Sequence, residues 1–262
     1  MSAVTTAPAP VAALRARSIG PVRSSLLLAQ WQLRRQAEFM PLMIVVQVFL
    51  AVTTVIGYGL LVGDPDPATA LYLATGAPTI TLVTVGLVMT PQMVAMARTE
   101  GSLDWMRTLP VPRWAFLAAD LTVWTIIALP GMVLGVITGV LKFDVHLSLA
   151  PWLVPGAIAV SLVSAAVGYA MATLLKPQVA QLMTQALIFI VLLFSPVSYP
   201  RERMPLWLQH AHEWLPIEPM AQLIRSGLAH DAFSMPTRSV IVLTVWGVAA
   251  VAGAAAALRK RA

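Results

Sequence analysis

Long apolar runs alternate with short polar breaks along nearly the whole chain. The runs fall approximately at 42–63, 71–97, 115–141, 150–175, 178–197 and 236–258. Each is close to the roughly 20 residues that a helix needs to cross about 30 Å of hydrocarbon. They predict six membrane-spanning helices. Strands of a membrane barrel alternate apolar and polar positions over about ten residues, whereas these runs are continuous, so the fold class is an all-α integral membrane protein.

The stretches between the runs carry their own patterns. Val22, Leu26, Ala29, Leu33, Ala37 and Met40 recur at helical spacing, with Arg23, Gln30 and Arg34 on another face. They predict an interfacial amphipathic helix over 22–40, with Trp31, Arg23, Arg34 and Arg35 at headgroup level and Pro41 bending the chain into the first span. Between the second and third runs lies a charged island, RTEGSLDWMRTLPVPR, from Arg98 to Arg113. Thr99 suits an N-cap, Glu100 and Asp104 place negative charge toward a helix start, Arg107 sits near its end, and Pro110 and Pro112 stop it. A short capped helix over about 99–109 is more than a turn requires, which points to a docking element gripped by a partner in the water.

Gly63 to Pro67 reads as a tight connector. Residues 198–235 are too apolar for a free loop and too broken by proline to span. They predict two short helices re-entering the outer leaflet as a lid, with Trp207 and Trp214 at the interface. Residues 1–21 are unpatterned and read as a disordered tail before a single domain, 22–262. No cleavable-signal pattern marks that tail, so the first span is expected to act as the targeting element.

Polar groups inside the spans are few. Span two carries Thr75, Thr79, Thr81, Thr84 and Thr90, with kinks expected at Pro78 and Pro91. A threonine can bond its own helix backbone or line a pathway; Thr79 and Thr84 are the pathway candidates. Span three has Gly131, Gly135 and Gly139, and span four has Ala157, Ser161, Ala165, Gly168 and Ala172, small-residue faces that allow close helix contact. Span five sets Gln178, Gln181 and Gln185 on one stripe, suited either to hydrogen bonds between spans or subunits or to a substrate path. No Asp, Glu, Lys or Arg lies near a span centre, which argues against an ion-coupled or proton-coupled carrier. Asp120, near one end of span three, has no evident partner in the sequence.

Composition agrees with a bilayer as solvent. The chain is 58% hydrophobic and 11% charged, with mean hydropathy +0.80, far from the roughly 25% charged residues of a soluble domain. It has no cysteine, hence no disulfide or thiolate chemistry. The net charge of +6 flanks spans instead of lining a groove, so nucleic acid is not implied. Arg15, Arg17, Arg23, Arg34, Arg35, Arg98, Arg107, Arg113, Lys176, Arg259, Lys260 and Arg261 fall on one side, twelve of the 17 basic residues. That side is expected to be cytoplasmic and to hold both termini, with Lys142, Arg201, Arg203, Arg225 and Arg238 outside. His210, His212 and Glu213 lie close in sequence, but nothing nearby completes a metal site, so surface or interfacial roles are expected. The lysines Lys142, Lys176 and Lys260 do not follow glycine, so the chain has no P-loop and does not hydrolyse ATP by that chemistry.

Taken together, the amphipathic N-terminal helix, six spans, the Arg-x-Glu-Gly-Ser-Leu-Asp-x-Met-x-Thr-x-Pro segment after span two, and Ser195 to Pro200 followed by Leu215-Pro216 before span six resemble the type-2 ATP-binding-cassette exporter permeases. The likeness covers Val22 to Arg261. It implies that Glu100 to Thr108, with Gly101, Ser102, Leu103, Asp104 and Arg107, form a coupling helix seated in a separate ATPase, braced by the Arg23 to Phe39 helix. It implies that ATP and Mg are used by that partner, that this chain binds no cofactor, and that a second permease, identical or related, completes the pathway among membrane lipids. An amphiphilic or lipophilic drug, antibiotic or lipid is the expected cargo, and many arginines against few lysines, with abundant alanine, fit a GC-rich bacterial genome, so a bacterial plasma membrane is the expected location. In many relatives a basic residue is expected near the foot of span three, where Asp120 stands here. Two other classes are compatible with the residues: a membrane-embedded assembly or sensor protein, which would need no polar stripe in span five, and an integral-membrane lipid-modifying enzyme, which would have to use His210, His212, Glu213 or Glu218.

Overall fold

A computed structural model describes residues 20–102, 113–197 and 199–259. Most of the expected tail, and Leu103, Asp104 and Arg107 of the charged island, lie outside the described residues. The helices are α1 (Pro21–Gln36), α2 (Met40–Val62), α3 (Pro67–Thr84), α4 (Thr90–Thr99), α5 (Arg113–Phe143), α6 (Leu153–Leu174), α7 (Pro177–Phe194), α8 (Leu206–His212), α9 (Ile217–Leu228) and α10 (Thr237–Arg259). A π-helical turn, Val85–Met89, joins α3 to α4. Six helical stretches are long and apolar enough to cross a membrane: Met40–Val62, Pro67–Thr99, Trp114–Phe143, Leu153–Leu174, Pro177–Phe194 and Thr237–Ala257. The expected all-α, six-span class is therefore what the chain forms.

Local chemistry sets the breaks. Gly63 ends α2 at φ 74°, and Asp66 caps α3 by accepting from the Thr69 amide at 3.4 Å, with Pro67 at the first helical position. The π turn sits just before Pro91. Proline has no N–H and crowds the preceding turn, and the Thr90 amide there reaches back five residues to Val85 O.

Span two forms the centre of the bundle. In the most hydropathic part of Pro67–Thr99, 67% of residues are buried within the chain, against 17% for α2 and for α7. Helix α5 packs on α1, α2 and α3, while α6 packs on the π turn, α4, α9 and α10. The glycine stripe of α5 is what admits α3: a Cβ on Gly135 would lie 3.3 Å from Pro78 Cα, and one on Gly139 would lie 3.1 Å from Ala74 Cα. Span four comes closer still. A Cβ on Gly168 would stand 2.0 Å from Gly86 O, and one on Gly86 would stand 2.1 Å from Ser164 Oγ, so backbone meets backbone where the π turn crosses α6.

One expectation needs correction. Thr99 is not an N-cap. It is the last residue of α4, and its hydroxyl donates to Met96 O at 2.8 Å within that helix. Gly101 then turns the chain at φ 74°, and Ser102 is helical again. The threonine lay within reach of an existing helix whose end the sequence pattern placed two residues early. The apolar stripe expected on α1 divides between two surroundings, with Ala29 and Leu33 packed against the buried clusters. Val22 and Leu26 are exposed, while Leu28 and Gln32 are buried, with Leu28 against Ala115, Phe116 and Ala119 of α5. A helix at a membrane surface meets two apolar environments, lipid and protein, and its widest apolar stripe can serve the lipid.

Candidate functional site

At the end of the bundle that carries the Gly101 turn, three polar contacts lock the helices. Arg98 donates through Nη1 to Ala172 O and, at 2.7 Å, to Leu175 O. A cation there complements the negative C-terminal end of α6. Gln32 donates to Asp120 Oδ1 at 2.7 Å, tying α1 to α5. This gives Asp120 a partner that the sequence did not reveal. Ser102 Oγ donates to Ala97 O at 3.1 Å. Beyond them Glu100 and Gly101 stand exposed. On α1, Arg23, Trp31 and Arg34 are exposed too, and the side chain of Arg35 is outside the described residues.

The pathway candidates do not share a surface. Thr79 is sealed inside the bundle at 0% exposure, its hydroxyl without a hydrogen-bond partner, and Thr84 is half-buried. Thr75, Thr81 and Thr90 bond their own helix backbone, to Leu71 O, Pro78 O and Val85 O. Gln178, Gln181 and Gln185 are all exposed on α7, which fully buries only Ala180, Thr184 and Val191. One amide escaped notice at the sequence level: Gln47, fully buried in α2, donates to Met89 Sδ at 2.9 Å. Its isolation in an apolar run was the available signal.

The opposite end is built around α9, which is buried along nearly its whole length. Arg225, expected among the basic residues on the outer side, is only 4% exposed. Its guanidinium lies 3.5 Å from the centre of the Tyr72 ring, donates through Nη2 to Val197 O at 2.9 Å and through Nε to Thr75 Oγ1 at 3.3 Å. Gly76 makes room for this arrangement, since a Cβ there would lie 2.2 Å from Val197 O. Tyr72 donates to Pro196 O at 2.8 Å. Pro196 and Val197 are thus held by α3 and α9 together.

The histidine cluster divides. His212 is 1% exposed and bonds Phe194 O through Nε2 at 2.7 Å, fastening α8 to the end of α7. Of the surface or interfacial roles expected for it, an exposed one is overturned, because the short helix folds that face inward. His210 is exposed, 3.7 Å from Glu213. No group of three metal-ligating side chains occurs among the described residues.

Glu213 pairs with Arg201 and, at 2.9 Å, with Arg238 of α10. The hydrogen bond from Arg201, and then that from Arg238, hold its carboxyl down at about 2, below the usual 4.5. Because the folded value is the lower one, this pairing contributes fully above pH about 4.5 and is lost as pH falls from there toward 2. The melting temperature is expected to carry an acid slope in that window that flattens in Glu213→Gln. An unchanged slope in the variant would show that the pairing contributes nothing.

A family model described as ABC-2 type transporter matches residues 24–229. No curated protein matches the chain.

Proposed function

Because the chain belongs to the ABC-2 type transporter family and is the permease subunit of an ABC transporter, we propose that it carries an amphiphilic or lipophilic substrate out of the cell, driven by a separate ATPase. The reading places it in a bacterial plasma membrane with both termini and the Gly101 turn in the cytoplasm, as the lysine and arginine distribution suggests. The segment from Glu100 to Thr108 docks in the ATPase, and α1, pinned to α5 by Gln32 and Asp120, braces it. ATP and Mg act on the partner, whose closure pushes this end and switches the spans between inward and outward access.

The observation that carries the reading is the exposed glutamine stripe on α7. Amides facing hydrocarbon lack partners, and α7 is among the least buried spans of the chain. Both facts are accounted for when a second permease copy or paralogue stands opposite α7 and the substrate path runs between them, past Gln178, Gln181 and Gln185.

Gentle solubilisation and purification through the C-terminus, followed by mass spectrometry, tests the reading. A stoichiometric chain bearing a P-loop is expected; repeated purification with no nucleotide-binding partner, even after cross-linking through residues 98–113, overturns it. Reversing Glu100 and Asp104 to lysine is expected to lower substrate-stimulated ATPase activity by roughly tenfold or more, the scale of a lost charged contact, with insertion unchanged. Normal coupled activity in that variant would remove the docking assignment.

A further inference from the structure

A cavity of about 500 Å³ opens at the α9 end, lined among others by Tyr72, Arg201, Glu202, Glu218, Gln222 and Arg225. One buried group in it is unsatisfied. Glu218 is 6% exposed. Its Oε1 accepts from Gln222 at 3.0 Å and from Arg201 at 3.4 Å, whereas Oε2 is buried with no hydrogen-bond partner. A buried carboxylate oxygen left unpaired is costly, so the cavity calls for an N–H or O–H donor. The two guanidinium groups and two carboxylates of the lining balance, so a ligand of one net charge would leave that charge uncompensated, and a zwitterion would not. The guanidinium groups have donors to spare: the bonds of Arg225 to protein use Nε and Nη2, fewer than its five N–H groups.

Depth narrows the choice further. Tyr72 stands five residues into α3, about 8 Å along its axis, and Trp207 and Trp214, at 69% and 70% exposure, mark the headgroup level on the same side. We propose that this cavity is a headgroup site for a zwitterionic phospholipid bearing a primary ammonium, the ammonium donating to the Glu218 carboxylate and the phosphate taking spare N–H groups of Arg201 and Arg225. The inference rests on the membrane placement of the six helices and on neither the direction of transport nor the ATPase.

The test uses a headgroup series that keeps charge and phosphate constant while removing donors. Full-length protein is placed in nanodiscs containing equal amounts of phosphatidylethanolamine and phosphatidylcholine with identical acyl chains, and retained lipid is read by native mass spectrometry. Retention of the ethanolamine lipid is expected to exceed that of the choline lipid roughly tenfold, the scale of one charge-assisted hydrogen bond. The N-methyl and N,N-dimethyl forms should be retained as well, since a single N–H suffices for one oxygen, and Glu218→Gln should bring the lipids toward parity. Equal retention by the wild-type protein would mean that the cavity holds only water and would overturn the proposal, whatever the variant does. Free 2-aminoethyl phosphate, added to discs of phosphatidylcholine alone, separates the sources. Little thermal stabilisation supports a lipid, whereas stabilisation equal to that given by the ethanolamine lipid would replace it with a soluble ligand.

Discussion

Gly168→Ala is expected to lower stability by about 3 kcal/mol or more, at or beyond the upper range for overpacking a core. The added carbon would stand 2.0 Å from Gly86 O and 2.8 Å from Pro91 Cδ. Neither neighbour is the free end of a flexible side chain. One is backbone of the π turn and the other a proline ring, so relief requires α6 and span two to separate, and their contact runs through the centre of the bundle. Gly57→Ala is the matched control, since a Cβ there meets nothing within 4 Å and a helical alanine is favoured over glycine by about 0.5–1 kcal/mol. The measurement is thermal unfolding in detergent alongside the yield of monodisperse protein. A Gly168→Ala melt that coincides with the Gly57→Ala control would show that the helices part easily and that the close crossing is not required.

The second large effect is expected at Arg225. Arg225→Leu removes the donor to Val197 O, the bond to Thr75 and the cation over Tyr72, and it leaves a buried carbonyl without that donor. A loss of about 3 kcal/mol follows from the scale of charge-assisted hydrogen bonds and the cost of stranding their partners. Arg225→Lys should restore little of it. An ammonium has no planar fork to reach Val197 and Thr75 at once while stacking on an aromatic ring. Because Val197 is also gripped by this contact, cleavage by an added protease between α7 and α9 should accelerate in both variants. Wild-type stability in Arg225→Leu, or full recovery in Arg225→Lys, would contradict the clamp.

These two sites show where reading from residues alone stops. The small-residue faces of α5 and α6 were visible as periodic Gly, Ala and Ser, but periodicity does not name the helix that fills a groove. Only packing revealed that Gly135 receives Pro78 and that Gly168 receives the π turn. Pro91 announced a kink, and the π turn before it is one way a helix accommodates a missing N–H. Arg225, Glu218 and His212 sat in an apolar, proline-broken segment, where Arg225 counted only toward topology, Glu218 only as a candidate for lipid chemistry and His212 as a surface or interfacial group. The burial of Arg225 depends on α9 lying against α3, a contact between residues 150 positions apart, and that of His212 on α8 folding onto the end of α7. Asp120 likewise had no partner until α1 folded back over 88 positions to bring Gln32 to it.

The sequence by itself determined the solvent, the class and the number of spans, because the cost of exposing backbone to hydrocarbon leaves continuous apolar runs no alternative to helices. Its short motifs also carried the family resemblance. Tertiary structure alone decided which polar groups are structural and which remain unspent. The clamps at Arg98, Asp120, His212 and Arg225 bond atoms far away in the chain, whereas the exposed amides of α7, the hydroxyl of Thr79 and Oε2 of Glu218 are among the groups the fold leaves over. Hydrogen bonding is a matter of distance in space, and sequence spacing constrains that distance only within one helix.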